Sequence, residues 1–187
     1  QERRTKLLAE VQLLRDHQAL EAAYERLAQA LTSEPDDAEL QYEQAMVAEK
    51  MNRLDEMERL LGDIIARTPT HYQALNALGY SWADRGIRLE EARELIVRAL
   101  AQTPDDPFIT DSLGWVEFRL GRHQEALRLL QKAYRTRADA EIAAHLGEVM
   151  WTLGQHEQAR QVWREGLRTA PDNTTLRNTL QRLQVAL

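Results

Sequence analysis

The chain has 187 residues, 43% hydrophobic and 29% charged, with eight Gly, five Pro and no Cys. That composition argues against disorder, and the missing thiols exclude disulfides, thiolate nucleophiles and sulfur-ligated metals. Net charge is −6, spread as 13 basic against 21 acidic residues over 1–106 and 11 against 9 thereafter, which leaves no clustered basic surface for nucleic acid.

Abundant Ala, Leu, Glu, Gln and Arg favour helix throughout. No window approaches the roughly 18 consecutive apolar residues of a membrane span, so the piece is expected to be soluble. It starts at Gln1, as expected of a cut-down or mature part of a longer chain.

Taken in chain order, the helical patterns are punctuated by Pro35, Pro69, Pro104 and Pro171, at intervals near 34 residues or twice that. The spacing predicts five helix pairs, at 4–37, 38–71, 72–106, 107–139 and 140–173. Leu78-Gly79, Leu113-Gly114 and Leu146-Gly147 fall at unit positions 7 and 8, where small residues let two helices approach. Ala23, Ala92, Ala126 and Ala159 share position 20, and Ala30, Ala99 and Ala133 share position 27. Gly86, Gly121 and Gly154 mark the turn inside the pair, since glycine enters the left-handed region at no steric cost. The last segment, 174–187, carries Leu176, Leu180, Leu183 and Leu187 on one stripe and is expected to cap the stack.

On these residues the chain resembles the tetratricopeptide repeat, which implies an all-α solenoid of helix-turn-helix repeats forming one superhelix over 1–187. The first two units depart from the pattern, with Val11 and Ala45 where Gly is usual and Met57 and Ile64 where Ala is usual. Unit three has one extra residue in the turn 84–88, and unit four lacks its proline and one residue near Asp139.

Nothing in the sequence assembles a catalytic constellation. Gly79-Tyr80-Ser81-Trp82-Ala83 lacks the second glycine of a nucleophile elbow, and no phosphate loop is present. His17, His71, His123, His145 and His156 show no helical zinc spacing, and His123 and His156 share position 17, which suggests a common structural job. Glu90-Glu91 and Asp105-Asp106 sit at expected helix starts, where carboxylates favour the positive end of the helix dipole. The chain is therefore read as a non-enzyme with no cofactor and no metal.

What the repeat resemblance implies about binding is that the first helix of each pair lines the concave face, with positions 2, 5, 9, 12 and 13 pointing into a groove. Carried over, these are Tyr42 and Met46 of unit two, Asn76 and Tyr80 of unit three, and Phe108, Asp111, Trp115, Phe118 and Arg119 of unit four. Unit five adds Ala144, Glu148 and Trp151, with His145 beside them, while Trp82 and Trp163 map to the core. The aromatics among them are expected to form a wall facing water, anchors of the kind that dominate binding energy. Positions 5 and 9 offer no ring of cations for a terminal carboxylate. Arg119, Arg122, Arg128, Lys132, Arg135 and Arg137 are read as solvated surface.

A narrower resemblance rests on residues 74–85, on Leu89 to Ile96, on Asp111-Ser112-Leu113-Gly114-Trp115-Val116 and on residues 143–149. From about residue 70 to 170 the chain is similar to the carboxy-terminal repeats of proteobacterial outer-membrane lipoproteins that act as adaptors for the periplasmic carboxyl-terminal processing protease. That resemblance implies a scaffold that binds the protease or presents peptidoglycan hydrolases to it. It also implies a periplasmic location, with outer-membrane anchoring through a lipid outside this piece, and no small-molecule substrate. A structural or assembly scaffold of another envelope complex, unconnected with proteolysis, is the alternative.

Overall fold

The computed structural model describes residues 2–187, which form eleven α-helices and, among the described residues, no strand. Two compact units divide the chain after Ala74. The first holds α1 (Glu2–Asp16), α2 (Leu20–Leu31), α3 (Ala38–Lys50) and α4 (Leu54–Arg67). The second runs from Leu75, within α5 (Tyr72–Arg85), through α6 (Leu89–Gln102), α7 (Pro107–Arg119), α8 (His123–Thr136), α9 (Ala140–Thr152), α10 (His156–Thr169) and α11 (Thr174–Arg182). The fold class is an α-solenoid of helix hairpins. No helix of the described residues is long and apolar enough to cross a membrane.

Short polar signals set the helix starts. Asp37 accepts a hydrogen bond from the Leu40 amide, Asp106 from Phe108 and Ile109, Asp139 from Glu141 and Ile142, and Asn173 from Leu176. Each satisfies amides that the first helical turn leaves without an internal partner. His71 does the same for α5 through Nδ1, which accepts from the Ala74 amide at 3.2 Å. In α7 a proline follows the cap directly, where its missing N–H costs nothing.

The turn inside each hairpin holds one residue in the left-handed region: Gln18, Asn52, Gly86, Gly121 and Gly154, with φ between 58° and 84°. The next amide then reaches back five residues, as in Arg122 to the Glu117 carbonyl and Gln155 to Met150. The extra residue of unit three is absorbed by a second left-handed residue, Arg88, at φ 47°. Gln184 closes α11 in the same way, with Val185 N–H bonded to the Leu180 carbonyl at 3.0 Å. The expected capping helix to residue 187 is therefore corrected. It stops at Arg182, and Leu187 is exposed while Leu176 is buried.

The second helix of each hairpin is one-sided. In α8 the buried residues are Ala126, Leu129, Leu130 and Ala133, and in α10 Ala159, Val162, Trp163 and Gly166, a single stripe at helical spacing. The first helices behave differently in the second unit, for α9 is buried without a break from Ile142 to Met150. Close approach makes this possible. A Cβ at Gly147 would fall inside the indole ring of Trp163, and one at Gly114 would lie 2.7 Å from Leu130. In the first unit Val11, Ala45, Met57 and Ile64 occupy the equivalent small-residue places and are all buried, so bulk there fills the core directly.

Candidate functional site

In the second unit α5, α7, α9 and α11 line an open cavity of about 310 Å³. Tyr80 and Asp84 come from α5, Trp115 from α7, and His145 and Glu148 from α9. The remaining wall is α11, through Thr175, Asn178, Thr179 and Arg182. Because α11 begins and ends like the other first helices, its residues 175, 178 and 182 fall at positions 2, 5 and 9, the positions that line the groove elsewhere. Counting past residue 173 would have found them, since Asn173 stands where Asp37, Asp106 and Asp139 stand.

The floor of the cavity is a buried polar network. His145, 3% exposed, has Nδ1 2.9 Å from Asp111 Oδ1, and a carboxylate only accepts, so Nδ1 carries a proton. Its Nε2 lies 3.2 Å from the Tyr80 hydroxyl, which donates to the neutral ring or accepts from the cation. Burial alone lowers the His145 pKa, but the charge and hydrogen bond of Asp111, with Glu141 and Asp84 adding, outweigh it and the net shift is upward. The imidazole is stacked on the Trp115 indole, centroids 4.3 Å apart, and the indole N–H donates to Asp84 at 3.2 Å. Glu148, also buried, receives Arg182 at 2.6 Å. The hydrogen bond to Glu148 raises the Arg182 pKa, burial opposes it, and the charges of Glu148 and Asp84 add to the rise.

The expected wall of water-facing aromatics is corrected by this geometry. Trp115 is only 4% exposed, because His145 covers one face and Phe118 leans on it at 5.3 Å. His145, Asp111 and Glu148 are likewise interior, and not free on a surface. Phe118 and Trp151 are half-buried and pack on His123 and His156 of the following helix, at 5.0 and 4.0 Å. That repeated pairing is the common job of the two position-17 histidines. Phe108 alone among the groove aromatics is well exposed, 42%, with the Arg137 guanidinium 5.6 Å from its ring centre. Arg119 turns away to donate to the Ala83 carbonyl at 3.1 Å and lies against the Gly86 turn.

Asn76 is half-buried, and its Oδ1 is buried with no hydrogen-bond partner among the described residues. In the first unit Tyr42 is half-buried beside His71, ring centres 6.0 Å apart, and burial, followed by the charges of Glu43 and Glu49, raises its pKa. Met46 is half-buried as well. Of the basic residues in unit four, Arg122 is engaged by Glu117 and Glu90 and Arg128 by Glu125. Glu117, 2% exposed and also bonded by Arg93, was not singled out from the sequence, where nothing distinguishes it from a surface glutamate. Trp82 and Trp163 are core, as expected.

Stacked hairpins with this internal spacing define a class, and family comparison agrees. Models described as tetratricopeptide repeat match residues 42–107 and 117–183. The chain is built from tetratricopeptide repeats, the fold of generally non-enzymatic protein-interaction scaffolds. A curated relative, the TPR repeat-containing protein PA4667 of Pseudomonas aeruginosa, is 46% identical over 136 residues, 73% of this chain. The match spans only 23% of that relative's length. Among solved structures, a thermophilic TPR protein of Thermus thermophilus superposes with a TM-score of 0.81 at 22% identity, over 97% of this chain and 99% of the other. PilF of Pseudomonas aeruginosa gives 0.73 at 18%, over 98% and 87%. MamA of Desulfovibrio magneticus RS-1 gives 0.70 at 16%, over 97% of each. Likeness at these identities speaks for the fold alone.

Proposed function

We propose that this chain is the client-holding part of an adaptor that binds a periplasmic carboxyl-terminal processing protease or presents peptidoglycan hydrolases to it. The full-length protein would be anchored to the outer membrane through a lipid. The motifs at 74–96, 111–116 and 143–149 support the adaptor reading through their similarity to those lipoproteins. Protein binding itself rests on one observation. Three successive concave helices bring Tyr80, Trp115, His145 and Glu148 to the wall of a single open cavity, with a buried network holding them in place. Preorganised side chains of this kind lose little entropy on binding. Arg119 is no part of the proposed surface, whereas Asn76 and Phe108 remain partly or well exposed in the second unit, and Tyr42 and Met46 partly so in the first.

Affinity capture from an envelope extract tests the reading. Recovery of a processing protease together with wall hydrolases is the expected result, and recovery of only a secretion or assembly complex would discard the adaptor role in favour of a structural scaffold. Tyr80→Ala combined with Phe108→Ala is expected to weaken capture while leaving helicity unchanged. Trp115→Ala is unsuitable for this purpose, because it hollows the core and would lower stability by about 3 kcal/mol or more.

A further inference from the structure

The cavity of the second unit carries more negative than positive charge. Glu148 is paired with Arg182 and Asp111 with His145, but Asp84 forms no ion pair among the described residues and its carboxylate accepts only the Trp115 indole N–H. Asp84 is exposed, so its charge is open to a visitor. Tyr80, half-buried, stands beside it in the wall, and an aromatic ring favours a cation over an anion.

The chain has also set a group of its own into this space. The Arg182 guanidinium reaches from α11 to a carboxylate on α9 that is almost wholly buried, yet the arginine itself is 56% exposed and can be displaced. Its presence shows what chemistry the pocket accepts. An anionic group, such as a chain-terminal carboxylate, would meet Asp84, Glu148 and the buried Asp111 with one already engaged arginine to hold it. A metal ion lacks ligands, since no three His, Cys, Asp or Glu of the described residues converge.

We propose that this pocket receives the cationic side chain, arginine or lysine, of a bound polypeptide, which pairs with Asp84 and shares Glu148 with Arg182. This rests on the protein-binding reading and narrows it: clients present a basic residue to the second unit. At about 310 Å³ the cavity lies at the small end of the roughly 300–1,000 Å³ usual for ligand pockets, the scale of one side chain rather than a whole segment.

The test uses the ¹⁵N-labelled chain and four capped pentapeptides, Ala-Ala-X-Ala-Ala with X as Arg, Lys, Gln or Glu. The Trp115 indole N–H signal is the readout, because it is bonded to Asp84. Arg and Lys peptides are expected to shift it and to bind roughly threefold or more tighter than the Gln peptide, with Glu weakest. Asp84→Asn should abolish that preference, and Arg182→Ala, which frees Glu148, should strengthen binding of the Arg peptide. Equal binding of the Gln and Arg peptides at this signal, or a preference that survives Asp84→Asn, would overturn the cationic pocket while leaving the scaffold intact. If no peptide moves the signal the pocket is also refuted, and the capture experiment alone then decides whether the chain holds proteins.

Discussion

In the first unit, neighbouring helices are tied by ion pairs near the surface: Arg4 to Asp37 and Glu39, Arg15 to Glu43, Arg26 to Glu10 and Arg53 to Glu21. In the second, several links have a buried partner, with Asp111 holding His145, Trp115 holding the exposed Asp84, and Glu117 taking Arg93 and Arg122. The same hairpin therefore supports two kinds of cross-link. Surface pairs are screened and contribute little, whereas buried polar groups cost energy when unpaired and so hold one arrangement. The unit with the buried links also holds the cavity lined by Tyr80, Asp84, Trp115 and His145, the one to which binding is proposed.

The sharpest break in that contrast is at the close helix contacts. Ala45 in the first unit and Gly147 in the second share a repeat position, yet only at 147 does the opposing side chain occupy the space of a Cβ. Glycine to alanine inside a helix ordinarily stabilises by about 1 kcal/mol. Gly147→Ala should instead destabilise by about 3 kcal/mol as Trp163 is driven out of place, read by urea unfolding.

Next in size is the buried pair. Asp111→Ala should cost about 2 kcal/mol, because whichever tautomer the neutral His145 adopts, its Nδ1 is left buried without the partner it has now. Since the folded His145 pKa is raised, its contribution to stability is fully present below the unfolded value near 6.5 and is lost as pH rises through the higher folded value. Asp111→Asn removes the countercharge, leaving burial to dominate, and should reverse the sign of this dependence. Unfolding curves of both proteins between pH 5 and pH 9, on the order of the range where histidine titrates, would show it. The smallest effect belongs to the first unit, where Arg26→Ala, which breaks the exposed pair with Glu10, should change stability by less than about 1 kcal/mol.

Much of this was legible in advance. The Leu-Gly pairs, the turn glycines and the Asp and Asn caps each act through the backbone within a few residues, so their consequences follow from spacing. The repeat resemblance also pointed to Trp115 and His145, as groove residues that the structure instead buries. What it could not reveal was depth. Trp115 is buried because His145, one repeat further along the chain, lies flat on it, and nothing local to either residue encodes that contact. Glu117 was missed for the same reason, its two arginines arriving from α6 and from the turn before α8.

Taken alone, the sequence determined the class of fold, the hairpin turns and the residues that face one another within each repeat, because these depend on helical period, glycine conformation and capping. Only the tertiary structure decided which inward-facing groups became packing and which were left around a cavity. That outcome depends on how far each helix sinks against its neighbours, and on whether a charge from another helix arrives to be paired.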